Sequence, residues 1–294
     1  MQFNDYGVFA VDKPQFFTSF DVVAKLRGIL GIRRIGHGGT LDPLATGVLP
    51  IFVGKATKAV DLIIDNTKRY TATARFGIST DTGDITGEVT ERSDVVPSDI
   101  QLKKVLETFV GDSMQIPPMY SAIKVNGRPL YDIARSGRTV ERQERRITIT
   151  SLSLMDFDST SREFTIDVCG SKGTYIRVLA EDIARRLDTK ATIVSLRRTI
   201  SGIFSETDCL SLEDIQQRKE ICNNDFILPI DRLFPTNSSF YLSEQQLQKF
   251  INGIPLPNDI FLGNNGPINI YYNNKMIALA EMIDGKSKTI ARFI

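Results

Sequence analysis

The chain has 294 residues, 41% of them hydrophobic, which is enough for one large domain and a small one. Its net charge of +1 excludes a global basic field, so any polyanion must be bound by local clustering. A single histidine and three scattered cysteines (Cys169, Cys209, Cys222) without C-x-x-C spacing exclude a disulfide framework and leave little for a metal site.

The first residues carry neither a basic nor an apolar leader, and no run of about eighteen apolar residues follows. A cytoplasmic protein without a membrane span, its cysteines buried thiols in a reducing compartment, is expected. Residues 7–12 form a short apolar strand closed by Lys13-Pro14. Thr18 and Asp21 are spaced as a capping box, and Val22, Leu26, Ile29 and Leu30 follow at helical spacing until Gly31.

After Arg33-Arg34 comes a sixteen-residue stretch, 35–50, holding four glycines and two prolines. That is too many for a helix or a central strand, and glycine lets backbone approach a ligand closely. It contains His37 and one acid, Asp42, held before Pro43 on a stiff turn. Such a mount suits a nucleophile, although Asp-Pro also begins ordinary turns. Beyond it, Ala56, Ala59, Val60, Ile63 and Ile64 predict an amphipathic helix ending near Asn66.

Residues 70–76 alternate as a half-buried strand entered at Tyr70, followed by the polar loop 77–87. Counted from Asp81, the glycine and oxygen positions of a calcium loop hold Thr86 and Ile85, which excludes that ion. Gly54-Lys55 lacks the upstream glycine of a phosphate loop. Ser98 caps a helix carrying Leu102, Val105, Leu106 and Phe109, closed by Gly111.

Segment 119–146 sets seven basic residues against three acidic ones, with Tyr120, Tyr131 and Asn126-Gly127 interleaved. It reads as a basic hairpin or thumb able to grip a phosphate backbone, or as a solvated charged face. Ile147/Ile149 alternate, Leu152/Leu154 resume in shifted phase, and Phe164/Ile166/Val168 form a further strand. A glycine turn then leads into a helix with Tyr175 and Arg177 at its start. A cation there is disfavoured by the helix dipole unless it meets an acid, and Asp42 is a candidate. Residues 192–200 form another strand containing Leu196. Residues 235–239 read as a linker, and 240–294 as a small β module.

Residues 36–50 resemble the signature of the TruB-type tRNA pseudouridine synthases. The resemblance extends to Asp12-Lys13-Pro14, Arg69-Tyr70, the Thr80–Asp84 and Gly87 motif, residues 118–124, Leu130-Tyr131, Ala134-Arg135 and residues 171–177. It implies an α+β pseudouridine synthase fold over residues 1–235, with a mixed, mainly antiparallel sheet and the thumb at 119–146. A PUA-like module would occupy 240–294. It also implies isomerisation of uridine 55 in the T-arm of tRNA, by a monomer without cofactor, metal or required protein partner.

Asp42 would be the nucleophile or essential carboxylate, paired with Arg177. Tyr70 would stack on a flipped-out base, Tyr175 would sit near it as a proton acceptor, and Leu196 would line the pocket. His37, Lys124, Arg138 and Arg142 would hold RNA. Competing readings are an RNA-binding module without chemistry, and a glycosidase, which needs a second carboxylate that the loop does not supply.

Overall fold

The computed structural model describes residues 6–63, 67–222, 225–261 and 266–294. Its centre is a ten-stranded sheet in which Gly7–Lys13, Thr46–Val53, Ala191–Ser201, Lys68–Phe76, Glu163–Gly170, Arg145–Asp158 and Gly111–Gln115 lie side by side in that order. Cys209–Leu210 extends the first edge in parallel. Thr46–Val53 also runs parallel to Ala191–Ser201, and the remaining neighbours along this path are antiparallel. The sheet is thus mixed and mainly antiparallel.

Two helices cover each half. Ser19–Leu30 and Leu212–Glu220 shelter a core containing Phe9, Val11, Leu49 and Ile51. Asp99–Glu107 and Ile176–Arg186 cover the other half, over Ala72, Phe76, Phe164 and Ile193. Local signals account for the helix starts. Thr18 with Asp21, Ser98 with Gln101 and Ser211 with Asp214 all form reciprocal capping boxes, satisfying donors that the first turn leaves free.

Several expectations need correction. The helix expected after the glycine-rich stretch is a 3-10 helix, Gly54–Ala59; Ile64 and Asn66 lie outside the described residues. Gly111 does not close the helix before it. That helix ends at Thr108, and Gly111, at φ +112°, opens the next strand. The phase shift between Ile149 and Leu152 is a bulge inside one fourteen-residue strand, Arg145–Asp158, with register slipping between Ile149 and Ser151. The thiols are less buried than expected: Cys169 and Cys209 are half-buried, and Cys222 is exposed.

The C-terminal module is a four-stranded sheet of Ser238–Tyr241, Ile268–Tyr272, Lys275–Ile283 and Lys286–Arg292, with the helix Glu244–Ile251. Besides its own core it shares one with the large sheet. Tyr271, Met276, Leu279 and Phe293 pack with Val8, Phe52, Phe204 and Phe234. The Tyr6 hydroxyl also donates to the Met276 carbonyl at 3.1 Å. The two sheets therefore meet through apolar contact, which is stronger than a linker alone would give.

Candidate active site

The loop between the strands Ile35–His37 and Thr46–Val53 crosses from one half of the sheet to the other. Its springs are in the first half, yet Leu41, Leu44 and Ala45 are buried in the core of the second. Backbone bonds hold it at every turn. Gly38 donates to the Pro50 carbonyl (2.8 Å), Ala45 to Asp42 (3.1 Å) and Phe16 to Pro43 (2.7 Å). The Leu41 amide donates to the Ser19 hydroxyl at 2.9 Å. Arg198, itself buried, donates to the carbonyls of Val48 (2.7 Å) and Gly39 (3.1 Å). Gly47 sits at φ +98°, and a Cβ there would lie 2.2 Å from the Arg198 carbonyl oxygen, so only glycine fits beneath it.

Lys13 is the least expected of these anchors. It is 0% exposed, and its ammonium donates to the carbonyls of Pro14 (3.0 Å), Phe17 (2.5 Å) and Pro43 (3.4 Å). Burial lowers its pKa to about 8, with Asp42 opposing the shift. This lysine, still mainly charged at neutral pH, sits behind the Asp-Pro turn and fixes the backbone that carries the carboxylate.

Asp42 points toward Arg177, whose Nε lies 2.8 Å from Oδ2; the side chains are 33% and 4% exposed. Each nitrogen of the guanidinium has an acceptor. Nη1 donates to the Thr82 carbonyl and Nη2 to Tyr120 at 2.7 Å. Thr82 is placed by the polar loop, where the buried Asp84 carboxylate accepts from the Thr82 hydroxyl (3.0 Å) and the Thr86 amide (3.0 Å). That loop is thus a scaffold for Arg177. Burial pushes the Asp42 carboxyl above its ordinary range; Arg177 opposes this and Asp84 reinforces it.

Around the pair lies a cleft of about 500 Å³ whose lining includes Asp42, Tyr70, Tyr175, Arg177 and Leu196. Tyr175 caps the helix, with its amide donating to the Gln115 side chain (2.8 Å) and its carbonyl accepting back from it (3.1 Å). Burial raises the pKa of its phenol, so the phenol keeps its proton at neutral pH. Arg198 shares the lining because it follows Leu196 by two residues on the same strand face.

The remaining expected site residues do not line this cleft. His37 lies on its short strand opposite Ile51, with Nδ1 buried and unpartnered, and burial lowers its pKa so that it is neutral. Lys124 and Arg138 are exposed on the thumb. Arg142 is half-buried and donates to the Pro117 carbonyl at 3.1 Å, beside a second cleft of about 390 Å³ behind Arg177. Lys13, Gln115, Asp84 and Arg198 received no role from sequence. The available signals were a lysine ending an apolar strand and an arginine in phase with Leu196. Among the described residues, no group of three or more His, Cys, Asp or Glu side chains could hold a metal ion. No described helix is long and apolar enough to cross a membrane.

The family model for the N-terminal domain of TruB family pseudouridylate synthases matches residues 27–176, and that for the C-terminal domain of tRNA pseudouridylate synthase B matches 177–235. The chain belongs to the TruB family of pseudouridylate synthases. It is similar to the tRNA pseudouridine synthase B of Oenococcus oeni, 39% identical over 289 residues and covering 95% of each chain. That of Latilactobacillus sakei is 42% identical over 259 residues, covering 84% of each. The fold is also that of Cbf5 in a crystal structure of a Cbf5-Nop10-Gar1 complex, with a TM-score of 0.73 at 23% identity. That alignment covers 99% of this chain and 85% of the other. As a TruB family member the protein is a pseudouridine synthase.

Proposed function

We propose that the protein converts uridine 55 in the T-loop of tRNA to pseudouridine, with Asp42 as the essential carboxylate. Support for tRNA as substrate comes from the relatives, which are named tRNA pseudouridine synthase B. The observation that carries the chemistry is the 2.8 Å pair of Asp42 and Arg177 at the wall of the aromatic-lined cleft.

The reaction breaks the N1–C1′ bond, turns the uracil and forms a C5–C1′ bond. N1 gains a proton and C5 loses one, so no redox cofactor enters the balance. Whether the carboxylate attacks C1′ or the ring, or stabilises charge developing on the sugar, it must be ionised and fixed in place. Arg177 holds the charge and direction of Asp42 through a charge-assisted bond. A stacked uridine cannot reach a cleft of this depth, so the base is flipped out at a cost of a few kcal/mol. Tyr70 then stacks on it and Leu196 lines its pocket. The neutral Tyr175 phenol can accept a hydrogen bond at its oxygen lone pair, and taking up the C5 proton would require its phenolate. His37, neutral, supports the neighbouring loop nucleotides, and the thumb grips the phosphates.

A binding module without chemistry would share the thumb but would not require a desolvated carboxylate and an arginine bonded at each nitrogen facing one cleft. Carbodiimide mapping of tRNA after incubation with wild type and Asp42→Asn separates the two readings. Wild type is expected to mark position 55. Asp42→Asn should lose at least about a thousandfold in rate while still binding tRNA. Substantial turnover by Asp42→Asn, or modification at another uridine alone, would overturn the assignment.

A further inference from the structure

Phe16 has a backbone and an exposure that both run against its chemistry. Its φ is +67°, the left-handed region, where the Cβ of a bulky residue crowds the following carbonyl. Its side chain is 69% exposed, so no core packing offsets that strain. Glycine would hold the same turn without strain. The turn itself is fixed from below: the Phe16 amide donates to the Pro43 carbonyl at 2.7 Å, and Lys13 donates to the carbonyls of Pro14 and Phe17. Phe16 therefore presents its ring outward from a turn bonded to Pro43, the residue that follows Asp42.

A second ring stands close by in the chain. Phe20 is 63% exposed, with the Arg27 guanidinium 5.7 Å from its centroid. Between residues 16 and 34 the basic side chains are Lys25, Arg27, Arg33 and Arg34, all exposed, and the only acid is Asp21. The Asp21 carboxylate is already tied to the amide and hydroxyl of Thr18. This stretch of chain thus carries exposed basic side chains together with exposed aromatic rings, on a chain whose net charge is only +1. Rings for base faces and cations for phosphates together make a platform for unpaired nucleic acid. Neither ring lines the Asp42 cleft.

We propose that Phe16, flanked by Phe20, is a stacking site for a second, unpaired nucleobase of the RNA substrate, outside the catalytic cleft. The proposal rests on the reading of the protein as an enzyme acting on RNA. It explains why strain is kept at an exposed position, since strained residues persist where they serve a site.

The chain contains no tryptophan. Phe16→Trp therefore introduces a single indole, whose fluorescence should be quenched when tRNA is added. Phe16→Ala and Phe16→Gly should each weaken tRNA affinity by about five- to a hundredfold. Phe16→Gly should be at least as heat-stable as wild type, which separates loss of stacking from loss of fold. Phe16→Trp should retain affinity. An unquenched indole with tRNA bound at saturation would overturn the proposal, as would affinity unchanged in both the Ala and Gly variants. An indole that responds to a protein partner and not to tRNA would make the patch a protein-docking face and also overturn it. Failure of wild type to bind or modify tRNA would instead sink the proposed function itself.

Discussion

The Asp42 loop and the thumb are both largely irregular segments, yet the fold treats them in opposite ways. The loop buries Leu41, Leu44 and Ala45 and is pinned by Lys13, Phe16, Ser19 and Arg198, which lie on other elements. The thumb is a two-residue-strand hairpin followed by the six-residue helix Leu130–Arg135, and Leu130 and Ser121 are its main buried residues. Most of its basic side chains face solvent. Chemistry needs a carboxylate held within a fraction of an ångström, whereas grip on a backbone of phosphates needs charge and reach. Arg177 joins the two regions: Nε meets Asp42, and Nη2 meets the Tyr120 carbonyl at the root of the thumb.

If that joint matters, Arg177→Lys should show the largest effect. An ammonium cannot serve three divergent acceptors as the guanidinium fork does. We expect single-turnover rate at saturating enzyme to fall by about a hundredfold, with tRNA affinity changing much less. Rate and affinity falling together would mean that Arg177 belongs to the thumb more than to the loop.

The next effect concerns pH. The proposed role of Asp42 requires it ionised, and burial places its folded pKa above the ordinary value of 3.8. As pH falls through that raised pKa, the carboxylate takes up a proton and the single-turnover rate should decline. The acid limb should therefore lie above the usual carboxylate range. A limb at the unperturbed value would show that the Asp42 loop is wetter than its burial implies.

The smallest effect tests the thumb alone. Arg142 is bonded to Pro117 and Arg146 is paired with Asp112, whereas Arg128 and Arg138 are exposed and do not line the Asp42 cleft. Replacing both Arg128 and Arg138 by Gln should flatten the salt dependence of tRNA affinity by up to about two units of slope. The bound-state rate should move less. Parallel slopes for wild type and variant would make these side chains an ordinary solvated face.

What could be read from the sequence follows from how far each signal reaches along the chain. The capping box at Thr18 and the cap at Ser98 involve partners three residues apart, and both form. Strand alternation told which face of residues 164–168 turns inward. The Asp-Pro mount, and the need of Arg177 for an acid, were visible because proline stiffness and helix polarity are local properties.

Tertiary structure decided everything that depends on neighbours distant in sequence. Sequence alone showed a shift of phase near residue 150, and only pairing with Glu163–Gly170 made it a bulge. A linker at 235–239 gave no sign that Phe293 packs with Val8 and Phe52 in a shared core. Lys13 ended a strand in the sequence, but three carbonyls from two segments gather around it only in the fold. The sequence determined which residues are chemically able to act, because side-chain chemistry and short-range geometry are written locally. The fold decided which of them meet, because a contact across 135 residues, such as Asp42 with Arg177, exists only once the sheet brings both to one cleft.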